Sequence, residues 1–130
     1  MATEPVVLDA SAILALLYGE PGAEVVDQAL DSATVSAINL AEVIASLQQR
    51  GWSETEIDKV QSLRYRVVDF DRNMGVLAGK LAKNSRRLGL SLGDRACFAT
   101  AAVLGIPTVL TADRVWEKMK VSKVKVQRIR

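Results

Sequence analysis

Histidine is missing from all 130 residues of the chain. The commonest general base near neutral pH and the commonest metal-ligating side chain are therefore unavailable. Cysteine occurs once, at Cys97, which excludes an intrachain disulfide and suits a reducing cytoplasm. With no histidine to activate it, Cys97 in "RACFATAAV" reads as a plain core residue, and a dedicated zinc site is disfavoured. No uncharged run approaches the roughly 18 to 20 residues needed to cross a bilayer, so no membrane association is expected. The N-terminal "MATEPVVLD" has neither the basic region nor the long apolar region of a secretion signal, so the expected location is the cytoplasm. Internal repeats and low-complexity segments are absent as well.

What is present is the composition of a soluble globular protein, 49% apolar and 25% charged. The length suits a single domain spanning 1–130 with one sizeable core. A net charge of +2 hides a strong polarity. Residues 1–58 hold ten acids and one base, Arg50, whereas residues 59–130 hold sixteen bases and five acids. Such asymmetry points to a polyanionic partner for the basic part, with solvated helix faces as the plainer reading. From Arg114 onward there are seven bases and one acid, Glu117, a candidate basic edge.

Val6–Leu8, Thr34–Ser36, Arg66–Phe70 and Thr108–Leu110 read as short strands, and Val124–Ile129 alternates as an edge strand would. Helices are expected over Ala12–Leu17, over Ala23–Leu30, and around the stripe Leu40, Val43, Ile44 and Leu47. Another should start at Ser53, where Glu56 completes a capping box. A long helix is expected from Asp71, turning Met74, Leu77, Ala78, Leu81 and Leu88 inward. Leu92–Leu104 is apolar almost all round, so it should be buried, and Arg114–Met119 suits one short helix. Strands alternating with helices predict an α/β fold, a three-layer sandwich around a central parallel sheet.

Ligands of such sheets bind outside the carboxyl ends of the strands, where strand order reverses. Asp9 and Asp113 fall just past strand ends, and Glu42 and Asp94 fall in the opening turns of helices. All four acids could therefore meet at one edge. Each also has a local explanation. Asp9 and Asp113 could be N-caps, while Asn39/Glu42 and Ser91/Asp94 both match capping-box spacing. Glu42 further lies away from the Leu40–Leu47 stripe, as a solvated residue would. Converging carboxylates repel one another and resist desolvation, so a real cluster needs cations. Mg²⁺ or Mn²⁺, with oxygen ligands, answers that need. Such an ion beside a basic surface suggests metal-dependent nucleic-acid hydrolysis.

Four segments carry a resemblance. "VLDASAIL", "INLAEV", "LGLSLGDRACFATA" and "TVLTADRVW" resemble, in order and spacing, the motifs of PIN-domain ribonucleases, most closely the VapC toxins of bacterial VapBC toxin–antitoxin modules. The resemblance runs from residue 6 to about 117. It implies a PIN-like α/β/α sandwich and endonucleolytic RNA cleavage by metal-activated water, dependent on Mg²⁺ or Mn²⁺ with no organic cofactor. Asp9 and Asp94 match the principal metal ligands, Glu42 the acid that completes the site, and Asp113 a fourth, more variable acid. Ser11 and Thr111 match small hydroxyl positions beside the site. Arg87, Arg95 and Arg114 flank the acidic motifs and could hold the RNA backbone, although Arg95 and Arg114 directly follow acids and could equally pair with them.

The resemblance also implies tRNA or rRNA as substrate, a VapB-like antitoxin as partner, and a homodimer. The helices at 23–30 and 40–50 are the candidate dimer faces. A haloacid-dehalogenase-like phosphatase is the rival enzyme class. It would need a second aspartate two residues after Asp9, where this chain has Ser11. A phosphorelay receiver lacks its acidic pair here, and a non-catalytic α/β protein-interaction domain is the remaining alternative.

Overall fold

Alternation along the first strand divides the core. Val6 and Leu8 point into one apolar cluster and Val7 into another, as successive residues of a strand must. A computed structural model describes residues 4–130. Its strands are β1 (Val6–Leu8), β2 (Ala33–Ser36), β3 (Arg66–Val68), β4 (Thr108–Thr111) and β5 (Lys125–Arg128). They form one sheet in the order β3-β2-β1-β4-β5, with every neighbouring pair parallel. The chain fills one side of β1 first, then crosses to the other through β4. The reversal of strand order therefore lies between β1 and β4.

Helices cover both faces of the sheet. On one side α1 (Ala10–Tyr18), α2 (Ala23–Ala29), α3 (Ala37–Gln49) and α4 (Glu54–Val60) contribute Ile13, Val26, Val43, Leu47, Ile57 and Val60 to the first cluster. On the other, α5 (Arg72–Lys80), α6 (Ala82–Ser85) and α7 (Leu92–Leu104) surround a second cluster that includes Leu81, Cys97, Phe98, Trp116 and Met119. Phe98 and Trp116 stack with ring centroids 4.7 Å apart. Cys97 is a free, buried core residue, and no helix is long and apolar enough to cross a membrane among the described residues. The α/β/α sandwich matches the expectation. Val26, Ala29, Val43 and Leu47 are buried in the first cluster, while Leu40 and Ile44 of the same α3 stripe are half-buried against it.

Three local expectations change. The helix from Asp71 does not run through to Leu88: α5 gives way to the four-residue α6 and a 3-10 turn over Arg86–Leu88. The Ser85 hydroxyl donates back to the carbonyl of Ala82 at 3.4 Å, a local bond that competes with helix continuation, and Gly89, at φ 67°, ends the segment. The short helix expected over Arg114–Met119 forms as a 3-10 helix that ends one residue earlier, at Lys118. Asn39 is no N-cap; Ser36 caps α3 by accepting from the amide of Ile38 at 3.1 Å.

Candidate active site

Asp9 leaves β1 and caps α1, its Oδ1 accepting from the amide of Ala12 at 2.8 Å. Only 4% of Asp9 is exposed. The Ser11 hydroxyl lies 2.8 Å from both carboxylate oxygens, and the Thr111 hydroxyl donates to Oδ2 at 2.6 Å. Both hydroxyls accept in turn from the chain leaving β4: Ser11 from the amide of Ala112 at 2.9 Å, Thr111 from that of Asp113 at 3.0 Å. Ser11 and Thr111 thus fasten the end of β1 to the end of β4 at the point where strand order reverses. Burial pushes the Asp9 carboxyl from an ordinary 3.8 up to about 6, against the pull of its hydrogen bonds, and the charge of Asp94 adds to the rise.

The other acids reach this edge from separate elements. Asp94 sits in the first turn of α7 and closes a capping box with Ser91, accepting from its amide at 2.9 Å. Asp113 caps the following 3-10 helix by accepting from the amide of Val115 at 3.0 Å. Glu42 comes from α3 across the sheet edge. Burial raises both Asp94 and Glu42 above ordinary carboxylates, and like charge adds to it: Asp113 acts on Asp94, and Asp94 acts on Glu42. Asp94 is therefore the electrostatic centre of the group, since each of the other three acids is coupled to it. None of the four takes part in an ion pair with a described residue.

Glu42 is not the solvated residue that its position off the apolar stripe suggests. Its carboxylate lies against Gly93, where a Cβ would collide with it. Asn39, 1% exposed, holds the pair together. Its amide nitrogen donates to Glu42 Oε1 at 2.9 Å and to the carbonyl of Gly93 at 3.0 Å. One buried amide thereby joins α3 to the first turn of α7. Asn39 and Gly93 are the site residues that capping-box spacing obscured. The signal was available in Asn39 itself: it shares the buried face of α3 with Val43 and Leu47, and an amide on such a face requires partners.

Of the three arginines, Arg95 is half-buried and donates through Nη1 to the carbonyl of Ala78 at 2.9 Å. Arg87 and Arg114 are exposed. Neither Arg95 nor Arg114 forms an ion pair with the acid that precedes it.

The donor set, carboxylate oxygens without histidine or accessible thiol, has the chemistry of a hard divalent cation site. Among the described residues, however, no three acidic or cysteine side chains are close enough to hold one ion as they stand. Like charges raise one another's carboxyls here, and each carboxylate is held by hydrogen bonds close to its own helix start: Asp94 by Ser91, Glu42 by Asn39, Asp113 by Val115 and Asp9 by Ala12. A cation would relieve that repulsion, which is the fit the cluster offers.

The "PIN domain" family model matches residues 6–121. Ribonuclease VapC42 of Mycobacterium tuberculosis is 32% identical, the match covering 82% of this chain and 90% of that protein. A DNA-bound VapBC structure from Salmonella typhimurium superposes with a TM-score of 0.74 at 19% identity, covering 98% of this chain and 99% of that one. The Mycobacterium tuberculosis toxin VapC20, which cleaves the sarcin–ricin loop, superposes at 0.72 with 16% identity, covering 92% and 98%. At those identities the two structures establish a shared fold. The family model and the VapC relative together establish more: the chain belongs to the PIN-domain family.

Proposed function

We propose that the chain is a metal-dependent endoribonuclease, the toxin of a VapBC-type pair, with Asp9, Glu42, Asp94 and Asp113 as its site. One observation supports this reading: acids from four separate segments, at the edge where strand order reverses, are coupled in charge through Asp94, and none of them is in an ion pair with a described residue. The kinship with VapC ribonucleases supports RNA as substrate.

Asp9, Asp94 and Glu42 would hold Mg²⁺ or Mn²⁺, with Asp113 at the margin. When bound, such an ion supplies charge neutralisation at a phosphodiester and activation of water. The chain's own residues do the positioning. Ser11 and Thr111 orient the Asp9 carboxylate by donating to it, and Asn39 keeps Glu42 against α7. A chain without histidine has no imidazole pair to drive attack by a ribose 2′-hydroxyl, so the products expected are a 5′-phosphate and a 3′-hydroxyl. The haloacid-dehalogenase-like alternative fails at Ser11, whose hydroxyl is engaged with Asp9.

The superposed VapBC structure supports a small VapB-like antitoxin as partner, and the sarcin–ricin loop cleaved by VapC20 favours a structured tRNA or rRNA loop as target; action in the cytoplasm belongs to the same reading. A homodimer belongs to the same reading. The test is incubation with total RNA and Mg²⁺, followed by sequencing of the new ends. Discrete cuts bearing 5′-phosphates that vanish in excess EDTA support the reading. Undiminished cleavage in EDTA, or cyclic-phosphate ends, contradicts it.

A further inference from the structure

The turn before α7 gathers two guanidinium groups around one notch. Ala82, Ser85, Arg86, Gly89, Leu90 and Arg95 line a cavity of about 320 Å³ with no acid among them. The Arg86 side chain is exposed and has no hydrogen bond or ion pair with any described residue, only its carbonyl accepting from the amide of Gly89. Arg95 is different, tied by Nη1 to the carbonyl of Ala78. That single bond leaves most of its planar fork uncommitted while restricting how the fork can move, so little further order is lost when it grips a ligand. Between them Gly89 turns the chain at φ 67°, and the space where its side chain would stand is open.

Two like charges sharing a small cavity repel each other, and an anion reverses the sign of that interaction. A phosphodiester suits the notch in size and charge, and its two free oxygens match the parallel N–H donors of arginine. Arg95 directly follows Asp94 in α7 and its charge acts on that carboxylate, which brings the notch within electrostatic reach of the acidic cluster. We propose that this notch is a phosphodiester subsite, in which Arg86 and Arg95 grip a backbone phosphate neighbouring the one to be cut. The assignment rests on the ribonuclease reading. It moves the backbone contact from Arg87, exposed and outside the notch, to Arg86.

The experiment measures binding of a fluorescently labelled single-stranded RNA in EDTA by anisotropy over a range of salt concentrations, so cleavage plays no part. Arg86→Ala should raise Kd roughly ten-fold at low salt and make the salt dependence shallower by about 0.7 in log–log slope, the loss of one phosphate contact on a single strand. Arg86→Lys should retain the slope. Lys59→Ala removes the same charge from α4, on the opposite face of the sheet, and should change neither quantity. Thermal melting confirms that each variant is folded. If Arg86→Ala binds RNA as Lys59→Ala does while the wild type still cuts RNA in Mg²⁺, the subsite is overturned and the ribonuclease reading stands. If the wild type neither binds nor cuts RNA, both fall together. Unchanged RNA binding with weakened binding of a polyglutamate peptide also overturns the subsite and gives the notch to an acidic protein partner.

Discussion

Replacing Asp9 by asparagine should stabilise the metal-free protein at alkaline pH and destabilise it in acid. The carboxyl titrates at about 6 in the folded chain against an ordinary 3.8, so the folded state binds this proton more tightly than the unfolded chain. The contribution is fully present below about pH 3.8 and is lost as pH rises through 6. Two pKa units correspond to about 3 kcal/mol in the acid limit, and linkage gives about 1.4 kcal/mol between pH 5 and pH 8. Asparagine does not titrate, so the stability difference between the variant and wild type must change by that amount over the same interval. The substitution also disturbs the bonds from Ser11 and Thr111, a pH-independent loss of about 1 kcal/mol. Urea denaturation in EDTA at pH 5, 6, 7 and 8 reads the difference directly. It should favour asparagine progressively as pH rises. Excess Mg²⁺ at pH 8 should then stabilise the wild type and leave the variant unchanged. A difference that stays flat across pH 5–8 would mean that Asp9 carries no burial strain.

Gly93→Ala should displace the Glu42 carboxylate that occupies the space of the new Cβ. Cleavage is expected to fall at least ten-fold with only a small change in Tm, since a side-chain end can yield where backbone cannot; rate and melting measured on one preparation check it. Asn39→Ala should cost about 1–3 kcal/mol, because Glu42 and the carbonyl of Gly93 both lose their donor, and chemical denaturation reads that loss. Trp116→Ala removes a fully buried ring stacked on Phe98. It should cost about 3–5 kcal/mol, seen as a large drop in the urea midpoint.

The elements most legible in the sequence are those with signals at their ends. Val6–Leu8 runs into the cap Asp9, and α7 lies between its Ser91/Asp94 capping box and Gly105 in the left-handed region. This strand and this helix follow from such local punctuation together with apolar periodicity. Where punctuation is weak, as at Asn84 and Ser85, the apolar pattern suggests one continuous helix and the chain breaks it. The acids are legible as positions after strands and at helix starts. What fixes them is not. Asn39 reaches Gly93 across 54 residues, and Thr111 reaches Asp9 across 102. Contacts at such separations leave no local spacing to read; only the demand of a buried amide for partners hinted at the first.

The central claim is that Asp9, Glu42, Asp94 and Asp113 act as one metal-dependent site for cutting RNA. Asp94 is the most direct point of attack, because its charge acts on Asp9 and Glu42 and that of Asp113 acts on it. The decisive measurement compares the rate of RNA cleavage by wild type and Asp94→Asn in Mg²⁺, with the Tm of each recorded in EDTA. Cleavage by Asp94→Asn should fall to background while its Tm stays at or above the wild-type value, since removing a repelled charge relieves its neighbours. An Asp94→Asn protein that is folded and cuts RNA at the wild-type rate would contradict it.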